Sequence, residues 1–329
     1  LVRAGSREAP RALVAAAKYA EASFDDSLAA EFLHAALTLC NRITDANERR
    51  ALEVSIALAG SRVMRSPELI DQAITLLEEQ LRKGAPKESE PRLLAALGKQ
   101  MRRRGRFEEA ASVLKRAIAP TFALGDREAL LDVYCDLAKV YVRRNDLPRA
   151  IRELSEGLDM ATLGEGPRAD VDLSLWAYLF EITEVHRAAG KHVEARKWCE
   201  HALFQAERRS DRLGLLRCHT QMAWVLRELK QAALAEQHLG RAIEEARHFG
   251  DRLTTAELLI ERARGRAARG RLAEAHRCCE EALRLARGLQ WDVGIEHAER
   301  AIAMLKRQNP GSSAPPANGS GNEASGFAR

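Results

Sequence analysis

The sequence predicts an all-α open solenoid of about seven helix pairs, closed by one C-terminal helix. Three observations carry this. A pattern of about 40 residues occurs five times between residues 93 and 288, and self-similarity at that period marks stacked repeats. Apolar residues recur at helical rather than alternating spacing. Aromatics make up only 5% of a chain rich in Ala, Leu, Arg and Glu, a balance that fits a helical array and not a sheet protein.

The repeat is clearest from Leu93 to Ala117, LLAALGKQMRRRGRFEEAASVLKRA. Leu94, Leu97, Gly98 and Met101 share one face of a first helix. Phe107, Ala110, Leu114 and Ala117 share one face of a second. Gly105 supplies the left-handed conformation that ends the first helix without steric cost. The turn position returns at Asn145, Gly190, Lys230 and Gly270, at spacings of 40, 45, 40 and 40. Five residues after it stand Ala110, Ala150, Ala195, Ala235 and Ala275. Nine after it come Leu114, Leu154, Cys199, Leu239 and Cys279, and twelve after it Ala117, Gly157, Ala202, Ala242 and Ala282. Seven before it sit Gly98, Ala138, Thr183, Ala223 and Ala263. Small residues in both helices let two backbones approach to roughly 8–9 Å, and unrelated helices would not hold these registers in phase. Each unit is therefore expected to bury its apolar face against its neighbours.

This arrangement of small and apolar positions resembles the tetratricopeptide repeat over roughly residues 10–307. The resemblance implies a right-handed α–α superhelix whose first helices line a concave groove. The helix-A tyrosine of the family survives only as Tyr141. A period above the usual ~34 residues implies helices longer by about a turn. Such long-helix repeats are similar to those in the helical arms of signal-transduction ATPases, maltose-regulator-type activators and some bacterial kinases.

In chain order, the expected helix pairs span about 10–43, 45–84, 91–122, 127–163, 170–209, 211–248 and 251–288, with a capping helix at 292–307 and a disordered tail at 308–329. Pro10 suits a first helical position, and Asp25 or Asp26 can cap the second helix. Ser66-Pro67-Glu68 carries a cap, a first-turn proline and an acid at the positive end of the dipole. Lys83-Gly84-Ala85-Pro86 breaks the pattern before the clearer repeats. Gly125-Asp126-Arg127, Ser210-Asp211-Arg212 and Gly250-Asp251-Arg252 stop one helix and start the next within two residues. The exception, Leu163-Gly164-Glu165-Gly166-Pro167, carries five extra residues and reads as a longer loop in preference to a looser joint. After Trp291-Asp292 one unpaired amphipathic helix would cap the solenoid. The Gly, Ser, Ala, Pro and Asn of the last stretch favour disorder.

The six cysteines, Cys40, Cys135, Cys199, Cys218, Cys278 and Cys279, sit inside helical patterns with no CxxC arrangement. Cys199 and Cys279 occupy a core register where thiols act as small hydrophobes. A reducing, cytoplasmic compartment is the expectation. There is no apolar run of membrane length and no signal peptide. The chain starts at Leu1 rather than Met, which predicts a piece of a longer protein, with a kinase, ATPase or DNA-binding module attached upstream.

No catalytic constellation has credible context. A GxxxxGK[ST] loop and HExxH are absent, and Gly164-Glu165-Gly166 lacks the third glycine of a dinucleotide turn. Cys218-His219 and Cys199-Glu200-His201 splay around a helix, which does not suit metal ligation. A non-enzymatic segment with no cofactor and no metal is therefore expected.

The tetratricopeptide resemblance implies groove-facing residues thirteen, ten, six, three and two before each turn residue. Applied here, these are Arg92, Ala95, Lys99, Arg102 and Arg103; Asp132, Cys135, Lys139, Val142 and Arg143; Ala177, Phe180, Glu184, Arg187 and Ala188; Arg217, Thr220, Trp224, Arg227 and Glu228; and Glu257, Ile260, Arg264, Ala267 and Ala268. Ten are basic and four acidic, a balance of +6 against +5 for the whole chain. Cations concentrated in a concave surface favour an acidic or phosphorylated partner segment, with Trp224 and Phe180 giving apolar contact. The asparagines of the chaperone-tail carboxylate clamp are missing. The function expected is a protein-interaction scaffold or sensor arm of a bacterial regulatory protein. RNA binding through the same groove is the alternative, although it calls for stacking aromatics at regular positions.

Overall fold

The computed structural model describes residues 8–23, 25–64, 66–162 and 175–308. Among them, every regular element is an α-helix. They run α1 (Ala9–Ala22), α2 (Asp26–Cys40), α3 (Ala46–Val63), α4 (Pro67–Arg82), α5 (Glu90–Arg104), α6 (Phe107–Ala123), α7 (Arg127–Arg143), α8 (Leu147–Thr162), α9 (Leu175–Ala188), α10 (His192–Arg208), α11 (Arg212–Glu228), α12 (Ala232–His248), α13 (Arg252–Ala267), α14 (Leu272–Gly288) and α15 (Asp292–Gln308). The joint from Leu163 to Pro167 and residues 309–329 of the expected tail lie outside the described residues. Gln308 belongs to α15.

The turn geometry follows from the residues at the repeat register. Gly105, Gly190 and Gly270 have φ of 88°, 71° and 74°, and Asn145 and Lys230 take φ of 60° and 61°. After each, the next amide donates to the carbonyl five residues back along the chain, as from Arg106 to Met101 O at 2.9 Å and from Gln231 to Leu226 O at 2.8 Å. This 6→1 bond closes the last helical turn and satisfies a carbonyl left over there. At the links between repeats, the side chains of Asp126, Asp211 and Asp251 accept from the amides of Ala129, Gly214 and Thr254. Each acts as an N-cap.

The small-residue registers form the seams. Ala110, Leu114 and Ala117 are fully buried in α6, as are Ala275, Cys279 and Ala282 in α14. A Cβ on Gly98 would stand 2.5 Å from Leu114 Cγ, so α5 and α6 meet at a distance only glycine permits. The cysteines are all free thiols.

The chain divides into two compact units, Leu1–Trp198 and Cys199–Arg329. In the first, α1 touches α3, α3 touches α5, α5 touches α7 and α7 touches α9. The second helices of successive pairs show no comparable approach. First helices therefore converge along the inner side of that unit's curve. In the second unit, α13 and α15 stand in the same relation. Among the described residues, no helix is long and apolar enough to cross a membrane.

Candidate functional site

In the first unit, the expected groove residues fall on three neighbouring first helices. Arg92, Lys99, Arg102 and Arg103 lie on α5, Lys139 and Arg143 on α7, and Phe180 and Arg187 on α9. Several of these cations are already engaged. Arg102 Nη2 donates to Asp136 Oδ1 at 3.0 Å, with side chains only 19% and 14% exposed. Lys139 Nζ lies 2.9 Å from Glu181 Oε1. Arg187 pairs with Glu184 on its own helix at 3.2 Å. Arg92 reaches Asp126 at 3.6 Å with its own side chain 66% exposed. Such an exposed pair contributes at most about 1 kcal/mol. Phe180 is half-buried, while Lys99, Arg103 and Arg143 are exposed.

The second unit carries Arg217, Trp224 and Arg227 on α11 and Arg264 on α13. Arg227 Nη1 donates to Glu261 Oε2 at 2.8 Å, and Arg264 bonds the other oxygen of the same carboxylate. Trp224 is half-buried and Arg217 is exposed. Among the described residues Lys99, Arg143 and Arg217 form no ion pair.

Three of the acids that engage these cations stand outside the set expected from the sequence. Asp136, Glu181 and Glu261 all stand nine residues before a turn residue, a position absent from the set transferred by resemblance. It lies on the same helical stripe as the positions thirteen and six before the turn, and it is charged in three of the five repeats. Including it raises the acids from four to seven and lowers the balance from +6 to +3.

Charge is also uneven along the first unit. Between α7 and α9 a cavity of about 230 Å³ is bordered by Glu128, Asp132, Cys135, Lys139, Tyr178 and Glu181. Burial and the neighbouring Asp136 push the Asp132 carboxyl above the usual carboxylate range. Burial also works against the Lys139 ammonium, yet Glu181 outweighs it and holds that pKa above normal. The Cys135 thiol and Tyr178 phenol are pushed up by burial and stay protonated. Tyr178 Oη donates to Leu154 O at 2.6 Å. This cavity is acid-lined around one paired lysine, whereas the exposed cations gather on α5 and at the end of α7. Among the described residues, no group of three or more His, Cys, Asp or Glu side chains is placed to hold a metal ion.

The helix pairs, the left-handed turns and the converging first helices define a tetratricopeptide-repeat solenoid. Residues 174–247 match the family model described as tetratricopeptide repeat. No curated protein matches the sequence. Among solved structures, a signal-transduction ATPase with numerous domains and a tetratricopeptide-repeat sensor, from Pyrococcus horikoshii, is similar at a TM-score of 0.67 and 14% identity. The match covers 86% of this chain and 41% of that protein, so the chain spans about two-fifths of its length. The apo form of RapI is similar at a TM-score of 0.59 and 13% identity, over 91% of this chain and 86% of its own. The C-terminal part of a repeat protein from Cytophaga hutchinsonii gives 0.54 and 14%, over 86% of this chain and 98% of its own. At these identities the likeness is one of fold.

Proposed function

We propose that this solenoid is a non-catalytic protein-interaction scaffold, whose first-helix face holds an acidic or phosphorylated segment of a partner. The observation that carries the reading is the set of exposed cations left without an ion pair on that face. In the first unit these are Lys99 and Arg143; the second unit carries Arg217 on a first helix of its own. Cations with no carboxylate within ion-pair distance are the ones whose close pairing is still available to a ligand. Arg102 and Lys139 instead hold neighbouring repeats together. A role as the sensor arm of a regulatory protein is supported by the likeness to the Pyrococcus horikoshii ATPase, whose repeats are described as a sensor. An attached upstream module belongs to that same proposal.

The test uses a fluorescently labelled Glu/Asp-rich peptide, read by anisotropy. Lys99→Glu combined with Arg143→Glu should weaken binding by about tenfold or more, and added salt should weaken the wild type. Arg102→Gln should act chiefly on thermal stability, because Asp136 loses its partner. Affinity that ignores the Lys99 and Arg143 reversals would overturn the groove reading.

A further inference from the structure

A second cationic centre lies where α12 packs on α13, apart from the groove positions of the first helices. Four arginines of α13 and its following turn surround one carboxylate of α12. Glu236 Oε1 accepts from Arg266 Nε at 2.7 Å and stands 3.7 Å from Arg262 Nε. Glu236 Oε2 accepts from Arg271 Nη1 at 3.1 Å and from Arg269. A cavity of about 520 Å³ opens beside them, bordered also by Gly240 and Arg241.

The centre holds more cation than its own acids match. Arg241, Arg262, Arg266, Arg269 and Arg271 face only Glu236, Glu244 and Glu274, which leaves a local balance of +2. One carboxylate has two oxygens, and Glu236 already serves three guanidinium groups within hydrogen-bond distance. Arg262 is the donor left over: its Nε is buried with no hydrogen-bond partner. Burial and the adjacent Arg266 hold the Arg262 guanidinium below its ordinary pKa, as crowded like charges do. Gly240 lies against the Arg262 guanidinium, where a Cβ would stand 3.6 Å from Nη2 in ordinary contact.

We propose that this pocket binds a phosphomonoester dianion. Guanidinium forks match phosphate oxygens bidentately, and a phosphomonoester carries a charge of about −1.5 to −2 near neutral pH, which meets the local excess. A carboxylate would leave one positive charge uncompensated. A nucleic-acid backbone presents its phosphates in a row, whereas these cations converge on one point. The dianion can come from a phosphorylated side chain of a protein or from a free small-molecule phosphate. The site does not depend on the groove reading, because none of its arginines is a groove position.

Isothermal titration calorimetry on the full chain tests it, with four probes: inorganic phosphate, a phosphoserine peptide, the unphosphorylated peptide and a single-stranded RNA. Saturable one-site binding of both phosphate probes is expected, with none for the unphosphorylated peptide. Arg241→Gln and Arg271→Gln should each weaken binding by about tenfold. Arg241 forms no ion pair among the described residues, so its replacement leaves the packing intact. Glu236→Gln should tighten binding several-fold, since the resident carboxylate no longer competes; a purely structural network would give no gain. A phosphopeptide bound at least about tenfold more tightly than inorganic phosphate identifies a protein phosphosite as the source; equal affinities identify a free phosphate. The proposal is overturned if neither probe binds up to about 10 mM, if the two arginine variants bind like the wild type, or if the RNA binds as tightly as the phosphopeptide.

Discussion

Single side chains set how closely the helices pack, and Gly157 shows the limit. It sits in the second-helix register where other repeats carry alanine. A Cβ there would lie 2.6 Å from Tyr134 Cγ and would also strike the hydroxyl of Tyr178. Tyr134 is 1% exposed and cannot swing aside, and Tyr178 is tied to Leu154 O at 2.6 Å. Gly157→Ala should therefore destabilise the first unit by about 1–3 kcal/mol, the range for overpacking a filled core, as read from urea unfolding. A neutral result would mean that the tyrosines have room to move.

At the same scale, His219 ties stability to pH. Its Nδ1 lies 2.9 Å from Nδ1 of His238, so one of these atoms donates and the other must stay unprotonated to accept. Burial, then His238 and Arg241, push the His219 pKa from 6.5 down to about 4. Between those values the unfolded chain takes up a proton that the folded one refuses. Stability is thus lost as pH falls from about 6.5 to 4, by up to about 3 kcal/mol, and no further below that. Asp132, Glu153 and Glu257 have raised pKa values and pull the opposite way on acidification. The informative quantity is therefore the difference between wild type and His219→Gln in denaturant titrations at pH 7 and pH 4.5. Parallel losses in the two proteins would remove His219 from the account.

At the scale of the element, caps and turns hold each helix to its length. Asp251 accepts from Thr254 N at 3.0 Å and from Thr254 Oγ1 at 2.7 Å. Asp251→Ala should cost about 1 kcal/mol in denaturant unfolding, and Asp251→Asn much less, because an amide oxygen caps nearly as well. Equal losses for the two would assign the effect to charge rather than capping. These boundaries were legible in the sequence because their causes are local. Gly105 is legible as a turn from glycine's conformational freedom and Asn145, Gly190, Lys230 and Gly270 from their phase with it, and each adopts positive φ. The electrostatics of the groove face were not legible, since they depend on how adjacent helices are offset. Arg92–Asp126, Arg102–Asp136 and Arg227–Glu261 are each 34 residues apart, six short of the 40-residue period. Six residues of helix correspond to a stagger of about 9 Å. A search for opposite charges at 34 residues would have found them; a search in phase with the repeat does not. The cluster on Glu236 was hidden for a similar reason, because it joins the second helix of one repeat to the first helix and turn of the next.

Among the described residues, the closely packed helices are those one or two places apart in the chain: α5 meets α3, α4, α6 and α7, and α13 meets α12, α14 and α15. Stability in such an array is close to a sum of repeat and nearest-neighbour terms, so damage should stay near its origin. Ala282 on α14 is fully buried, in a core cluster that includes α13 and α15 residues such as Leu259, Ala263, Ala298 and Leu305. An arginine there brings a charge and several methylenes into a space that fits one methyl group. In hydrogen exchange followed by mass spectrometry, Ala282→Arg should strip protection from α13, α14 and α15. The amides of α5 to α8, in the other unit, should exchange at the wild-type rate. Equal loss of protection in α5 to α8 would mean that the chain unfolds as one cooperative body. In that case a ligand seated on one repeat would change the stability of all of them, instead of acting on its neighbours alone.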